Sequence, residues 1–562
     1  MVFYPLSFIL LLTPLVFVHE LGHFLFAKLF GVRVDVFSIG FGPKFFKKTK
    51  GETEYCLSLI PLGGYVKLYG QDPNEEVTDE HRHRSFMSLT PWKRFLILLG
   101  GPLFNFLFAI LVFGVMLMAG EPHVTTKIGR VVPGSQAAVA GFQSGDVITA
   151  VGDQIVTKFE EVSTVISASA NQDLTFRVKR EGAVRSLHVV PQPTAGISIY
   201  GEPIEVGEID GLYSNGRYTV IGVSNPGSNA GKAGLVTGDV IGTLEGKEVK
   251  SFEELVEKTN QLIGAGAKEF HLGIETHVLT DWTHDSNPER QIQSPARVTK
   301  NITLPASSLE TLGMHSSELF IAALLPGSPA QKGGLQPGDR VVAINDQPIP
   351  SFFDMKTGIQ KSGEKKGSVK ITLERQGAKI EKEMIPTLSE SKDPVGQVIR
   401  SFAVGIYPVL ISTESETFVE RIFNPITLTV TSWSRALDLS LKTLISIKKI
   451  FSRQVSVGTL GGPLLIGKLA GDSLSRGFVQ FLRIMSLISI SLAIFNILPI
   501  PVLDGGHIFL LGIEVLRGKP LGTRQAEVIQ QVGLSLIMLL LVVVLFNDFS
   551  RVAIPALHSV IH

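Results

Sequence analysis

The 562-residue chain is poor in cysteine and in net charge. Its one cysteine, Cys56, excludes an intramolecular disulfide framework and a cysteine-based zinc finger, and it does not identify a cellular compartment. The formal net charge is +1 and no dense run of lysine and arginine occurs, so the composition predicts no nucleic-acid partner. Apolar residues are abundant instead: 44% of the chain is hydrophobic, which is high for a soluble enzyme of this length.

Four stretches are apolar and long enough to cross a bilayer as helices, which takes roughly 20 residues. We place them at residues 1–30, 95–119, 481–516 and 528–547. The first lacks the basic start and the cleavage site of a signal peptide, so we interpret it as a retained span. Lysine and arginine concentrate in the loops between spans one and two and between spans three and four. The positive-inside rule therefore predicts that these loops are cytoplasmic and that the long central segment and both termini are periplasmic.

The central segment repeats one pattern three times, from Pro133, Pro226 and Pro326. The third copy reads PGSPAQKGGLQPGDRVVAINDQPI. Each copy predicts a Gly/Pro/Ser loop, a short helix, a Gly-Asp turn and an alternating strand. The pattern resembles the PDZ domain of bacterial envelope proteases, in which a strand edge captures a peptide, often by its C-terminal carboxylate. Two roles are compatible with the pattern: at least one copy binds peptides, or the copies are only spacers that hold substrates off the membrane.

These features predict a multi-pass α-helical membrane protein with inserted periplasmic PDZ-like α+β domains. Residues 276–298 break the strand pattern of the second copy and predict a surface loop. Residues 426–474 predict an amphipathic helix near the membrane, interrupted by a turn at Gly461 to Pro463. The expected order is a cytoplasmic loop with a reentrant β-hairpin at 31–94, PDZ-like domains at 122–195, 205–305 and 308–390, and a membrane-proximal segment at 391–480.

The first span contains VFVHELGHFLF, residues 16–26, in which two histidines and a glutamate interrupt an apolar run. His19, Glu20 and His23 fit the HExxH pattern, in which the two imidazoles share a helix face and bind one zinc ion beside the glutamate. A five-residue pattern of this kind can also arise by chance, and histidine pairs also occur as polar groups that simply pack together. Ionisable groups inside a span are costly and usually functional, which favours a metal site here.

A catalytic zinc site has three protein ligands and one open position, so a third ligand is needed. The third span contains NILPIPVLDGGH, residues 496–507, and both Asp504 and His507 are suitable ligands. Its prolines are expected to break the helix, and Gly505 and Gly506 to loosen the backbone beside Asp504. His81 and His83 are weaker candidates because they lie in a charged loop.

HELGH together with NxxPxPxLDGG resembles the site-2 protease family of intramembrane zinc metalloproteases, in its bacterial RseP branch. Four further segments match this family: FSIGFGP at 37–43, LIPLGGYVKL at 59–68, GGPLFNFLFA at 100–109 and LFNDFSR at 545–551. The resemblance implies that His19, His23 and Asp504 bind zinc and that Glu20 is the catalytic base. It also implies that Asn496 contacts the substrate backbone.

The stretch from Thr53 to Leu68 predicts an apolar hairpin with its turn at Gly63 and Gly64, which the resemblance identifies as a membrane-reentrant β-loop. An edge strand there can hold an unwound substrate extended, so we assign Gly63 and Gly64 to substrate binding; a purely packing role is the alternative. Asn105 of the GGPLFNF segment is interpreted as a structural residue that bonds across helices.

The leading interpretation is a zinc endopeptidase of the inner membrane that cuts single-span membrane proteins. The resemblance implies two kinds of substrate, anti-sigma factors already shortened on the periplasmic side and remnant signal peptides. One alternative is a non-catalytic PDZ receptor for peptide C-termini, anchored by its spans. Another is a membrane-anchored protease that acts on soluble proteins.

Overall fold

The structure is a computed structural model that describes residues 3–71, 78–132, 134–198, 203–216, 219–277, 296–349, 351–392, 398–409, 415–452, 461–519 and 522–549. It divides into two compact units. The helical unit contains the described residues up to Pro122 and from Val419 onward, and the repeat unit contains those from His123 to Ser198 and from Pro203 to Phe418. Most of the predicted surface loop at 276–298 lies outside the described residues.

The α-helices in chain order are α1 (Phe3–Leu29), α2 (Pro91–Ala119), α3 (Gln136–Val139), α4 (Phe159–Ala168), α5 (Asn229–Lys232), α6 (Phe252–Gly264), α7 (Leu309–Leu312), α8 (Pro329–Lys332), α9 (Phe352–Glu364), α10 (Pro425–Phe451), α11 (Pro463–Ser475), α12 (Phe478–Ile497), α13 (Asp504–Arg517) and α14 (Thr523–Asp548). Short 3-10 helices cover Asp79–Arg84, Phe86–Ser88 and Ser317–Leu319.

The strands in chain order are β1 (Val34–Lys50), β2 (Thr53–Leu68), β3 (Glu121–Val124), β4 (Arg130–Val131), β5 (Val147–Val151), β6 (Gln154–Ile155), β7 (Leu174–Arg180), β8 (Ala183–Val189), β9 (Gln192–Ile197), β10 (Pro203–Glu208), β11 (Leu212–Tyr213), β12 (Ile221–Gly222), β13 (Asp239–Leu244), β14 (Lys247–Glu248), β15 (Glu269–His277), β16 (Ala296–Pro305), β17 (His315–Ser316), β18 (Ile321–Leu324), β19 (Arg340–Ile344), β20 (Gln347–Pro348), β21 (Val369–Arg375), β22 (Ala378–Met384), β23 (Thr387–Lys392), β24 (Val398–Ala403), β25 (Ile406–Pro408) and β26 (Thr417–Glu420).

Four helices of the described chain are long and apolar enough to cross a membrane: Tyr4–Leu29, Pro91–Ala119, Phe478–Ile497 and Glu527–Asp548. The predicted third span at 481–516 is divided between α12 and α13, because the backbone leaves the helix from Leu498 to Leu503. Two prolines in that stretch cannot donate helix hydrogen bonds, which accounts for the break.

The core of the helical unit forms where α1, α2 and α12 pack together. Leu11 and Leu15 of α1, Met116 of α2, and Phe481 and Ile490 of α12 are at most 1% exposed. Apolar side chains on the outer surfaces of these helices stay exposed, as expected of helices that face lipid.

The predicted hairpin of residues 53–68 is wrong in its pairing. Both halves of β2 pair with β1 rather than with each other. Residues 53–58 lie opposite 44–50, residues 64–68 lie opposite 34–39, and residues 36–39 also pair with 54–57, so they separate the two halves of β2. β1 bends at Gly40 and Gly42, where φ is positive, and β2 bends at Gly63. A side chain at Gly40 would overlap the carbonyl oxygens of Ser58 and Ile60, so this bend depends on glycine.

The repeat unit contains three four-stranded sheets of the same strand order: β6-β5-β7-β8, β14-β13-β15-β16 and β20-β19-β21-β22. A short strand pair completes each module: β4 with β11, β12 with β17, and β18 with β25. These pairs carry the modules past the predicted ends at residues 195, 305 and 390. In each module a glycine of positive φ precedes the closing strand, at positions 211, 313 and 405. Each of these glycines packs against a serine of the same module, which is Ser135, Ser228 or Ser328 respectively.

The aspartate of the repeated Gly-Asp turn has a structural role in each module. Its carboxylate accepts a backbone N–H three residues earlier, at Asp146, Asp239 and Asp339. In the first and third modules an arginine also pairs with it: Arg180 lies 2.7 Å from Asp146 and Arg375 lies 2.6 Å from Asp339. The buried charge is thus neutralised within each of these modules.

Candidate metal centre

The two histidines of HELGH extend a buried row on α1. Leu11, Leu15, His19 and His23 follow one another at intervals of four residues, so they occupy the same helix face. Leu11 and Leu15 are fully buried and the two imidazoles are 12% exposed. The face that carries the histidines is therefore turned toward protein.

Asp504 is the first residue of α13, and the break before that helix presents its carboxylate to α1. Val502 in the break has a positive φ of 86°, an unusual conformation for a β-branched residue. A side chain on Gly505 would overlap the carbonyl of Ile497, and one on Gly506 that of Ile500. The two glycines therefore allow close backbone packing, and the expectation that they loosen the chain is wrong.

Three side chains from these two segments converge. Nε2 of His19 lies 3.2 Å from Oδ2 of Asp504, Nε2 of His23 lies 3.4 Å from the same oxygen, and the two Nε2 atoms are 3.3 Å apart. Among the described residues these three form the group of histidine, cysteine and acidic side chains whose ligand atoms could hold a metal ion together.

Glycines bring α2 into close contact with the histidine face of α1. A side chain on Gly22 would overlap the backbone of Gly100, and one on Gly100 would overlap the backbone of Gly22. A side chain on Gly101 would overlap the imidazoles of both histidines. Small residues at such a crossing let two membrane helices approach closely.

Because the helices are so close, α2 contacts the outer nitrogen of each imidazole. Nδ1 of His23 lies 2.8 Å from the carbonyl oxygen of Ile97, and Nδ1 of His19 lies 3.1 Å from the side-chain amide of Asn105. Ile97, Gly101 and Asn105 are four residues apart and share one face of α2. In each histidine Nε2 faces Asp504.

A cavity of about 500 Å³ opens beside the cluster. Every residue that the sequence assigned to the site lines it, namely His19, Glu20, His23, Gly63, Gly64, Asn496 and Asp504. Glu20 is 8% exposed, and a side chain on Gly64 would overlap its Cγ atom. The HELGH helix, the β1–β2 sheet and the LDGG segment therefore surround one space.

The alternative histidines are placed differently. His507 lines the cavity but does not belong to the group of three ligand atoms. His81 lies in a 3-10 helix against the ring of Tyr69, and neither it nor His83 lines the cavity. Of the candidates left open by residue chemistry, the structure brings Asp504 to the histidine pair.

Comparison with known proteins identifies the family of the chain. The family model described as peptidase family M50 matches residues 7–540. The chain belongs to this family.

Among relatives of this M50 peptidase, Protease RseP of Yersinia pestis is 30% identical over 547 residues, covering 97% of the chain and 98% of the relative. Regulator of sigma-E protease RseP of Escherichia coli is 29% identical over 550 residues, with the same two coverages. A Neisseria meningitidis protein named as a zinc metalloprotease is 30% identical over 550 residues, again with those coverages. Among solved structures, the HtrA-type protease AlgW with decapeptide is 11% identical, covers 39% of this chain and 79% of its own, and has a TM-score of 0.13, too low to indicate a shared fold.

The sequence predicted that Asn105 bonds across helices, but it did not show that the partner is His19. The close approach of Gly101 to both histidines was missed, although both residues lie in the GGPLFNFLFA segment. One signal was available: Asn105 is a strongly polar side chain in a span without charged residues, and it lies eight residues after Ile97 on one helix face.

Proposed function

We propose that this M50 peptidase is an intramembrane zinc endopeptidase that cuts single-span membrane proteins. The observation that carries the proposal is the convergence of His19, His23 and Asp504 beside Glu20, with both histidines and the glutamate inside a helix that is apolar and long enough to cross a membrane. Ionisable side chains at the centre of a span cost roughly 2.5–3.5 kcal/mol each on translocon scales and are usually functional.

The donor set fits zinc in chemistry and in spacing. Two imidazole nitrogens and one carboxylate oxygen are common zinc ligands, and three protein ligands leave an open position. With ligand bonds of about 2.0–2.1 Å, neighbouring ligand atoms of a tetrahedral site lie about 3.3–3.4 Å apart. The separations of 3.2, 3.3 and 3.4 Å among His19, His23 and Asp504 agree with this spacing.

The catalytic base would be Glu20. Bound zinc would supply Lewis-acid polarisation of the scissile carbonyl and a lowered pKa for water. Glu20 lies in the same cavity as the ligands, where its carboxylate can accept a proton from the attacking water and return it to the leaving amine. Polar side chains line part of the cavity, where they would bind that water away from lipid.

Residues 63–68 of β2 would hold the substrate extended. Residues 64–68 pair with residues 34–39 on one side, while Gly63, Gly64, Tyr65 and Val66 line the cavity. The backbone carbonyls of a helical substrate are hydrogen-bonded within the helix, so the substrate must unwind before cleavage. The unwound substrate would be held by adding as a strand to residues 63–68. The side-chain amide of Asn496, which also lines the cavity, would bind the substrate backbone.

The substrates follow from the resemblance to the RseP branch. They are anti-sigma factors after a first periplasmic cut and remnant signal peptides, reached in the inner membrane through a reentrant β1–β2 sheet. The modules and both termini would be periplasmic, and at least one module would bind peptide C-termini.

A second candidate is a non-catalytic PDZ receptor. Three repeated modules favour it, but a receptor has no need of three ligand side chains and a base around one cavity. A third candidate, a protease for soluble proteins, is disfavoured by the apolar residues on both sides of HELGH.

The test is cleavage of a single-span reporter, truncated on its periplasmic side, in cells that carry wild type, Glu20→Gln or Asp438→Asn. Asp438 is an exposed carboxylate on α10 and serves as the matched control. Wild type and the control should cut, and Glu20→Gln should retain zinc yet lose about 10²–10⁴-fold in rate. If all three proteins hold zinc and none cuts, the receptor is the better account; equal cleavage of a soluble peptide would favour the third candidate.

A further inference from the structure

Two partners of different kinds contact the outer nitrogens of the metal-binding imidazoles. The partner of His23 is the carbonyl oxygen of Ile97, which can only accept a hydrogen bond. Nδ1 of His23 must therefore carry a proton, which makes Nε2, on the side of Asp504, the nitrogen that is available to a metal. The backbone of α2 thus sets His23 in the form that a metal requires.

The partner of His19 is the side-chain amide of Asn105, which offers both a donor and an acceptor. Nδ2 of the amide lies 3.1 Å from Nδ1 of His19, while Oδ1 is buried and has no hydrogen-bond partner among the described residues. A half-turn of the amide exchanges these two atoms. Asn105 is fully buried, so its side-chain oxygen is shielded from bulk solvent.

We propose that Asn105 is a positioning residue that turns its side-chain oxygen to Nδ1–H of His19 and thereby leaves Nε2 of His19 free for the metal. A metal at Nε2 requires the proton on Nδ1, and an N–H of the amide facing that proton would be repulsive. With the oxygen toward His19, the unpaired acceptor is satisfied. Both imidazoles are then held in the same way, by acceptors of Ile97 and Asn105 that lie eight residues apart on one face of α2. This inference rests on the proposed zinc site and deepens it.

The backbone of Asn105 is itself held in place by a neighbouring helix. The hydroxyl of Ser489 on α12 donates to the backbone carbonyl of Asn105 at 2.7 Å. Both residues are fully buried. This bond fixes the backbone of α2 to α12 without touching His19, so its removal perturbs the packing around Asn105 but not the proposed contact.

The experiment measures the zinc affinity of the full-length protein by competition with a chelator, together with the rise in Tm that Zn²⁺ produces. Asn105→Leu removes the acceptor at similar volume and should weaken zinc binding by about 10–100-fold. Asn105→Asp keeps an acceptor for Nδ1–H and should bind zinc close to wild type. Ser489→Ala, the packing control, should also bind zinc close to wild type.

Asn105→Ala is measured beside Asn105→Leu, because leucine at this site can impair folding, and it should show the same weakening. A merely structural role would lower the Tm of the zinc-free protein while leaving the zinc-induced rise unchanged. The proposal is overturned if Asn105→Leu or Asn105→Ala binds zinc as tightly as wild type, or if Asn105→Asp loses as much affinity as they do. Wild type that binds no zinc would instead overturn the proposed function.

Discussion

Asp504 in the helical unit and Asp339 in the repeat unit are both well shielded carboxylates, but their partners differ. Asp339 is 1% exposed and pairs with the guanidinium of Arg375 at 2.6 Å, which neutralises its charge within the module. Asp504 faces two imidazoles, which are neutral unless protonated. A carboxylate paired with arginine stabilises a fold, whereas a carboxylate grouped with imidazoles has charge left to bind a cation.

The comparison predicts its largest effect at Asp504. Asp504→Ala removes the only carboxylate of the ligand group, so we expect loss of bound zinc and of reporter cleavage to background. His507→Ala is the matched control, because His507 lines the same cavity outside the group, and it should keep its zinc. Metal analysis of the purified variants checks this; zinc lost from His507→Ala and kept by Asp504→Ala would reverse the ligand assignment.

Asp339→Ala should affect stability and leave the metal in place. Removing the carboxylate leaves a half-buried guanidinium without its charge partner, so we expect the third module to lose about 3 kcal/mol of unfolding free energy. Glu381→Ala, which removes an exposed carboxylate paired with Lys370, should cost at most about 1 kcal/mol. Hydrogen exchange of residues 320–409 measures the loss of unfolding free energy in each variant. Equal losses in the two variants would contradict a special role for the buried pair.

Gly101→Ala tests how little space surrounds the histidines. The new methyl group would overlap both imidazoles, so we expect zinc affinity to fall by about 10–100-fold, as when a group that orients a ligand is lost. Gly114→Ala on the same helix is the control, because its methyl group would lie 3.6 Å from Oγ of Ser432, an ordinary contact. A chelator competition in which both variants match wild type would show that α2 does not constrain the site.

The smallest effect is expected at His315 of the repeat unit. Burial, reinforced by the neighbouring Arg340, lowers the pKa of His315 to about 4, although Glu374 opposes this. The unfolded chain therefore binds more protons between pH 6.5 and 4, and the unit should lose stability as the pH falls through that range. His315→Gln should remove this part of the pH dependence, while His271→Gln, at an exposed site, should not. Unfolding curves at pH 7 and pH 5 measure the difference; identical pH dependence in wild type and His315→Gln would refute the prediction.

The sequence was sufficient for the features that have a local signature. Spans follow from apolar length, the repeats from their recurring turn residues, and the pairing of His19 with His23 from helical spacing. Asp504 was different, because residue chemistry left His507 open and only the family resemblance separated the two. In the structure the distinction depends on the backbone between Leu498 and Leu503, whose path no local pattern reveals.

Two features could not be predicted for physical reasons. The pairing of β2 with β1 depends on bends at Gly40, Gly42 and Gly63, and alternating apolar residues do not show which strand lies opposite. The contact of Asn105 with His19 depends on how closely α1 and α2 approach. That distance is set by Gly22, Gly100 and Gly101 together, which lie on two helices far apart in the chain.

The most direct measurement is X-ray absorption at the zinc edge of the Glu20→Gln protein, which should be inactive yet loaded. The account predicts one zinc per chain with two imidazole nitrogens and otherwise oxygen donors, and the same spectrum after His507→Ala. A third imidazole that disappears with His507, or a protein that holds no zinc, would contradict the assignment of His19, His23 and Asp504 as the metal centre.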